Sequence, residues 1–214
     1  MQVTLAVLVF NRYDLLEPLA RSAEAGTRKP DKYLIVDNGG LLGDVTAHGF
    51  PLEKTEVLSP GRNLGTSAAW NAAIEKCGDY TIVTNDDVVM HANTIEALVH
   101  AADTTDHMLY YVTPGMFGVF LLRRALFDKI GKFDEGFWPA YYEDNDYARR
   151  VELAGVSSLL VLKDGYDHVG SASLKGYSAA QTAQHHINFT RNRERYVAKW
   201  GGMPGQETYT EPRL

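Results

Sequence analysis

The chain has 214 residues, of which 45% are hydrophobic and 22% charged. These proportions belong to a folded globular domain and exclude disorder or a coiled coil as the main state. Its 21 Lys and Arg against 27 Asp and Glu leave a net charge of -6, which argues against nucleic acid as the partner.

From the N-terminus, Val3 to Val9 is an unbroken apolar run with no basic segment before it. A strand is expected there, with no secretory leader and a cytoplasmic location. On that reading the sequon Asn188-Phe189-Thr190 is never used. Asp14 to Ala25 places Leu15, Leu16 and Leu19 on one helical face. Lys32 to Val36 is a second apolar run and Tyr80 to Thr84 a third. Between them Thr66 to Cys77 reads as a helix whose small residues Ala69, Ala72, Ala73 and Cys77 cluster beside Ile74. Short runs rich in Val and Ile suit strands buried on both faces, as in a parallel sheet. Strands alternating with helices predict right-handed βαβ units. Cys77, the one cysteine, excludes an intrachain disulfide framework and a cysteine-based zinc site, and reads as a small apolar helix residue.

In the second half, Asn93 to His100 reads as a helix, and Met108 to Thr113 and Gly118 to Arg123 as strands parted by Pro114-Gly115. Ala125 to Ile130 is a short helix, Tyr142 to Leu153 a longer one ended by Gly155, and Ser158 to Leu162 another strand. Gln181 to Trp200 is a long final helix closed by Gly201-Gly202. No stretch reaches the about 18 apolar residues of a membrane span, so no transmembrane anchor is expected. There is no internal repeat or linker, and one domain is expected over residues 1–214.

Three apolar runs end in polar residues: Asn11-Arg12, Asp37-Asn38-Gly39-Gly40, and Asn85-Asp86-Asp87. Ligands of open α/β sheets bind beyond the carboxyl ends of the strands, so three such ends together point to a site. Adjacent carboxylates before the apolar Val88-Val89-Met90 repel each other and lose hydration. A divalent cation, Mn²⁺ or Mg²⁺, relieves both; capping of the next helix is the alternative. Gly61-Arg62-Asn63-Leu64-Gly65 can turn backbone N–H groups toward an anion, or be a plain turn. Glu143, Asp144 and Asp146 sit at the mouth of a helix. Dipole capping explains Asp146, with Arg149 and Arg150 on the next turn. Glu143 and Asp144, after the aromatics Phe137, Trp138, Tyr141 and Tyr142, fit a general base beside a sugar-stacking wall. His168 is structural or metal-binding.

Taken in order, these residues resemble family-2 glycosyltransferases, whose fold is GT-A. The resemblance is carried by Asn11-Arg12, Ile35-Val36-Asp37-Asn38, Asn63-x-Gly65 with Asn71, and Asn85-Asp86-Asp87. It continues through Gly118 to Arg124, Phe127-x-x-Ile130-Gly131-x-Phe133-Asp134-Glu135, Tyr142-Glu143-Asp144-x-Asp146 and His168. It implies a Rossmann-like, mostly parallel sheet with helices on both faces. It divides the chain into a nucleotide-binding half (1–90), an acceptor and catalytic half (91–175), and a C-terminal helix and tail (176–214).

The resemblance also implies roles. Asn11, Arg12, Asp37, Arg62, Asn63, Asn85 and Asp86 fall where the donor is bound, with Asp86 near the ribose. Asp87 matches the metal-binding position of a DxD-type signature, and His168 a histidine that binds the metal or diphosphate from the far side. Asp144 matches the general base, with Glu143 as alternative or helper, and Arg191 and Arg193 are candidates to close over the diphosphate. The chain departs from the pattern at Gly40, where a hydroxyl is common, and at Asn85, where the signature begins with Asp.

The implied reaction is inverting, metal-dependent transfer of a hexose from a nucleoside-diphosphate sugar, with UDP or dTDP favoured. The acceptor is a hydroxyl on a saccharide, a lipid-linked sugar or a protein. The last helix and tail are the candidate surface for a homodimer. The rival readings are a sugar-nucleotide nucleotidyltransferase, which needs a glycine-rich phosphate loop where this chain has Asn11-Arg12-Tyr13-Asp14, and a non-catalytic nucleotide-sugar-binding module.

Overall fold

The computed structural model of the chain describes residues 2–113, 117–168 and 178–213. The Pro114-Gly115 break and the Gly170 to Ser173 stretch lie outside the described residues. The strands are β1 (Thr4–Val9), β2 (Lys32–Asp37), β3 (Thr55–Leu58), β4 (Tyr80–Asn85), β5 (Val88–Met90), β6 (Leu109–Val112), β7 (Val119–Arg123), β8 (Ser158–Leu162) and β9 (Tyr166–His168). The helices are α1 (Leu16–Ala25), α2 (Thr66–Lys76), α3 (Thr94–Thr104), α4 (Arg124–Ile130), α5 (Glu143–Leu153) and α6 (Ala179–Trp200).

Seven strands form one sheet in the order β3-β2-β1-β4-β7-β6-β8. β1 pairs in parallel with β2 and β4, β2 with β3, and β6 with β8; only β7 runs antiparallel, to β4 and β6. The apolar runs are unbroken because both faces of the sheet are covered. Leu5, Val7 and Val9 of β1 pack with Leu16 and Leu19 of α1 and Leu98 of α3. Ala6 faces the other way, toward Trp70 of α2, Phe127 of α4 and Tyr147 of α5.

The small-residue face of α2 lets that helix lie close to the sheet, but its bulk comes from Trp70, which meets Phe120 and Phe133 edge to face. The first predicted helix is broken: Tyr13–Leu15 forms a 3-10 turn before α1. Three strands escaped the sequence pattern. β3 is a half-exposed edge strand, and β5 and β9 are three-residue pieces that pair antiparallel outside the main sheet. Helix α3 starts at Thr94, and the Asn93 side chain makes no capping hydrogen bond.

Helix α6 opens with a full capping box between Ser178 and Gln181 and ends at Gly201 in the left-handed region. Its Tyr196 and Trp200 pack with Phe137 and Tyr142 into a third core. Asp134 ties the same helix down through Arg195 (3.1 Å) and Lys199 (2.7 Å). Asn71 of α2 exchanges hydrogen bonds with the backbone of Phe133 (3.0 and 2.9 Å). The Phe133-Asp134-Glu135 segment is therefore a structural knot joining α2 to α6.

Candidate active site

A cavity of about 830 Å³ opens where β1, β4 and the start of α5 converge. Its walls include Asn63, Asn85, Asp86, Asp87, Glu143, Asp144 and His168, so seven of the thirteen predicted site residues meet there. They come from residues 63–87 and 143–168 and meet at the carboxyl ends of β1 and β4.

Asp86 and Asp87 lie between β4 and β5 and are both buried. Burial, reinforced by the charge of Asp87, pushes the Asp86 carboxyl up to about 7, although it accepts the Phe10 N–H. Register in the small ribbon sets Val88 opposite His168. That pairing brings the His168 Nε2 to 3.1 Å from Asp87 Oδ1, a contact between residues 81 positions apart. The capping alternative for Asn85-Asp86-Asp87 falls, because β5 and not a helix follows them.

Glu143 and Asp144 begin α5 after a turn in which Tyr141 (φ 79°) and Tyr142 (φ 71°) are both left-handed. Two such non-glycine residues cost about 1–3 kcal/mol each and persist only where the surroundings over-determine them. Here Asn192 of α6 donates to the carbonyls of Ala140 (2.8 Å) and Tyr141 (3.3 Å), and Phe189 packs against both tyrosine rings. The strained turn directs the two carboxylates into the cavity. Glu143 is 6% exposed, its Oε2 has no hydrogen-bond partner, and burial next to Asp144 raises it to about 8. Asp144 is also raised by burial, while it accepts the Asn145 N–H at 2.8 Å.

Two residues along, Asp146 has a different role. Its fully buried carboxylate holds Lys199 (2.7 Å), Arg150 (3.0 Å) and the indole N–H of Trp200 (2.9 Å). The expected pairing with Arg150 is present, whereas Arg149 pairs with Glu152.

The other predicted residues stand outside the cavity wall. Asp37 is buried and accepts from Tyr13 Oη of the turn after β1 (2.7 Å) and from Gly40 N (2.8 Å) and Leu42 N (3.1 Å) of its own loop. Burial and that bond push the Tyr13 phenol up to about 12. Gly39 is required here, because a Cβ would fall 1.8 Å from the Phe10 carbonyl oxygen; Gly40, at φ 73°, supplies the turn where a hydroxyl residue was expected.

Arg12 is forked onto Asp14 (2.8 and 2.6 Å), and Asn11 is exposed. Arg62 is exposed. In the loop after it, Leu64 N donates to Asn38, Gly65 N to Asn63 and Thr66 N to Pro139. Arg191 bonds the Trp138 carbonyl and lies over its ring at 5.9 Å, and Arg193, two positions on, is exposed on another side of α6. Trp138, expected in the sugar region, is exposed, and its neighbours Pro139 and Ala140 line the cavity with Phe117.

The structure adds wall residues that sequence reasoning missed: Trp70, Tyr166, His185 and Asn188. The signal for Tyr166 was Gly118, where a Cβ would lie 2.0 Å from the tyrosine oxygen, so only glycine fits. His185 and Asn188 sit on one face of α6, three residues apart, but nothing local marks that face as a cavity wall.

A divalent cation fits these residues on chemical grounds. Asp87 and His168 offer an oxygen and a nitrogen ligand side by side, and among the described residues no group of three acidic, His or Cys ligands occurs. Such a sparse set suits a cation that takes its remaining ligands from substrate phosphates and water.

Among solved structures, the mannosyltransferase PcManGT from Pyrobaculum calidifontis, in complex with GDP-Man and Mn²⁺, superposes with a TM-score of 0.65 at 17% identity, covering 91% of this chain and 64% of that one. S. aureus TarS 1-349 in complex with UDP-GlcNAc gives 0.64 at 16% identity, with 92% and 66% covered. GalNAc-T7 with UDP, GalNAc and Mn²⁺ gives 0.67 at 12% identity, with 92% and 50% covered. The chain thus spans between half and two thirds of the length of these structures. At such identities the likeness shows the GT-A fold alone. No curated protein sequence matches the chain. The family itself is shown by sequence over residues 4–148, from the first strand through the paired carboxylates of α5, and on that match the chain belongs to glycosyl transferase family 2.

Proposed function

We propose that the chain is an inverting glycosyltransferase that moves a hexose from a nucleoside-diphosphate sugar, with UDP or dTDP as the nucleotide, to an acceptor hydroxyl. The observation that carries this reading is one cavity walled by Asp86, Asp87 and His168 together with Glu143 and Asp144. Donor-binding and base chemistry then share a single space of about 830 Å³, within the size range of small-molecule sites.

Asp144 is the general base. It takes the acceptor proton as the hydroxyl oxygen attacks the anomeric carbon. The bond from that carbon to the diphosphate oxygen breaks with its electron pair on the diphosphate, and the configuration inverts. Glu143 is the poorer base, because burial keeps it protonated at pH 7. Asp87 and His168 would hold a Mn²⁺ or Mg²⁺ ion, whose chemistry there is Lewis-acid neutralisation of diphosphate charge. Trp70, Phe117 and Tyr166 supply apolar wall to the same cavity.

The test is thermal unfolding with UDP-, dTDP-, GDP- and CMP-sugars, each with Mn²⁺, with Mg²⁺ and with EDTA. A donor at roughly 100 times its Kd stabilises by about 2.7 kcal/mol, and each kcal/mol moves Tm by about 2–4 °C in a domain of this size. A shift for one nucleotide that disappears in EDTA is expected. The absence of any donor-dependent shift would refute the reading.

A further inference from the structure

Beside the large cavity lies a second, shallower hollow of about 400 Å³. Tyr141, Asp144 and Asn145 belong to the walls of both. The remaining walls of the hollow are Tyr142, Phe189, Met203 and Pro204. The last three lie beyond residue 148, where the family match ends, so they are features of this chain's own C-terminal helix and tail.

The hollow combines two kinds of surface. Tyr141 and Phe189 meet edge to face at 5.3 Å, and Tyr141 is partly exposed, which leaves an aromatic wall open to solvent. Asp144 and Asn145 supply a hydrogen-bond acceptor and an amide on the side shared with the large cavity. Aromatic wall and polar edge together match a pyranose, whose C–H face is apolar and whose rim carries hydroxyls. An acyl chain would leave the carboxylate and amide unsatisfied.

We propose that this hollow is the acceptor site and that the acceptor is a saccharide, with its terminal ring on Tyr141 and Phe189 and its attacking hydroxyl at Asp144. The assignment rests on the transferase reading above. The acceptor then reaches the base from the α6 side, while the donor occupies the large cavity, so the proton lost by the acceptor passes to Asp144 and the diphosphate departs on the opposite side of the anomeric carbon.

The test uses the full chain with UDP and Mn²⁺, and saturation-transfer NMR with methyl glycosides of glucose, galactose and rhamnose and with octyl β-glucoside. Met203→Trp and Met203→Arg each fill the hollow from an exposed position, and Met203 does not line the large cavity. Expected is saturation of the ring protons of at least one glycoside, an apparent Kd raised at least tenfold in both variants, and an unchanged thermal shift with the donor. Equal glycoside affinity in wild type and both variants would place the acceptor elsewhere. So would no glycoside binding while the donor shift persists. Saturation of the octyl chain instead of the sugar ring would assign the hollow to a lipid, which also overturns the proposal. A wild-type chain with no donor shift at all would fail the transferase reading first, and this site with it.

Discussion

Glu143 is a carboxyl group almost wholly buried beside Asp144, and the consequence is measurable without knowing any substrate. Its folded value of about 8 stands above the ordinary 4.5. A carboxyl raised in this way favours the protonated state on folding. Its contribution is fully present below pH 4.5 and is lost as pH rises through the window from 4.5 to about 8. Each pH unit in that window costs about 1.4 kcal/mol, so the wild-type chain forgoes on the order of 3 kcal/mol by pH 7.

Glu143→Gln mimics the neutral acid in shape and carries no proton to lose. The variant is therefore expected to match wild type at pH 4.5 and to exceed it by about 3 kcal/mol at pH 7, which is a rise in Tm of about 6–12 °C. Urea unfolding followed by circular dichroism at pH 4.5, 6, 7 and 8 reads the difference directly, and Asp86, also raised, cancels because both proteins carry it. A gain below 1 kcal/mol at pH 7, or one of equal size at pH 4.5, would show that Glu143 is solvated or paired in the folded state and would refute the reasoning.

Asp144→Asn is expected to keep the fold and the donor-induced thermal shift while lowering kcat by about 10²–10⁴-fold; turnover near wild type would move the base elsewhere. Asp146→Ala is expected to cost about 3–5 kcal/mol, because it strips buried Lys199 of one carboxylate and Trp200 of its acceptor. A loss under 1 kcal/mol in urea unfolding would mean that the triad is hydrated.

Much of the fold was legible in the residue order. β1, β2 and β4 are apolar without a break because parallel strands are covered on both faces, and that pattern survives in a linear reading. β3 was not legible, since four half-exposed residues at a sheet edge show neither an apolar run nor an alternation. β5 and β9 were not legible either: three residues carry no period, and their pairing is decided by a partner about 80 residues away.

The same division runs through the candidate site. The composition of the strand ends and the order of the carboxylate motifs were enough to identify the family and to mark Asp86, Asp87, Glu143 and Asp144 as a cluster worth finding. Only the tertiary structure separated neighbours of identical chemistry. Asp144 faces the cavity while Asp146 is consumed by Arg150 of its own helix and by Lys199 and Trp200, because the C-terminal end of α6 packs on Asp146. Asp37, at the end of β2, accepts hydrogen bonds from Tyr13 after β1 and from Gly40 and Leu42 of its own loop. His168 joins Asp87 because of strand register. Residue type and order set which chemistry is available, through burial pattern and charge. Which of those groups remains free to act depends on what packs against it, and that partner lies far away in the chain.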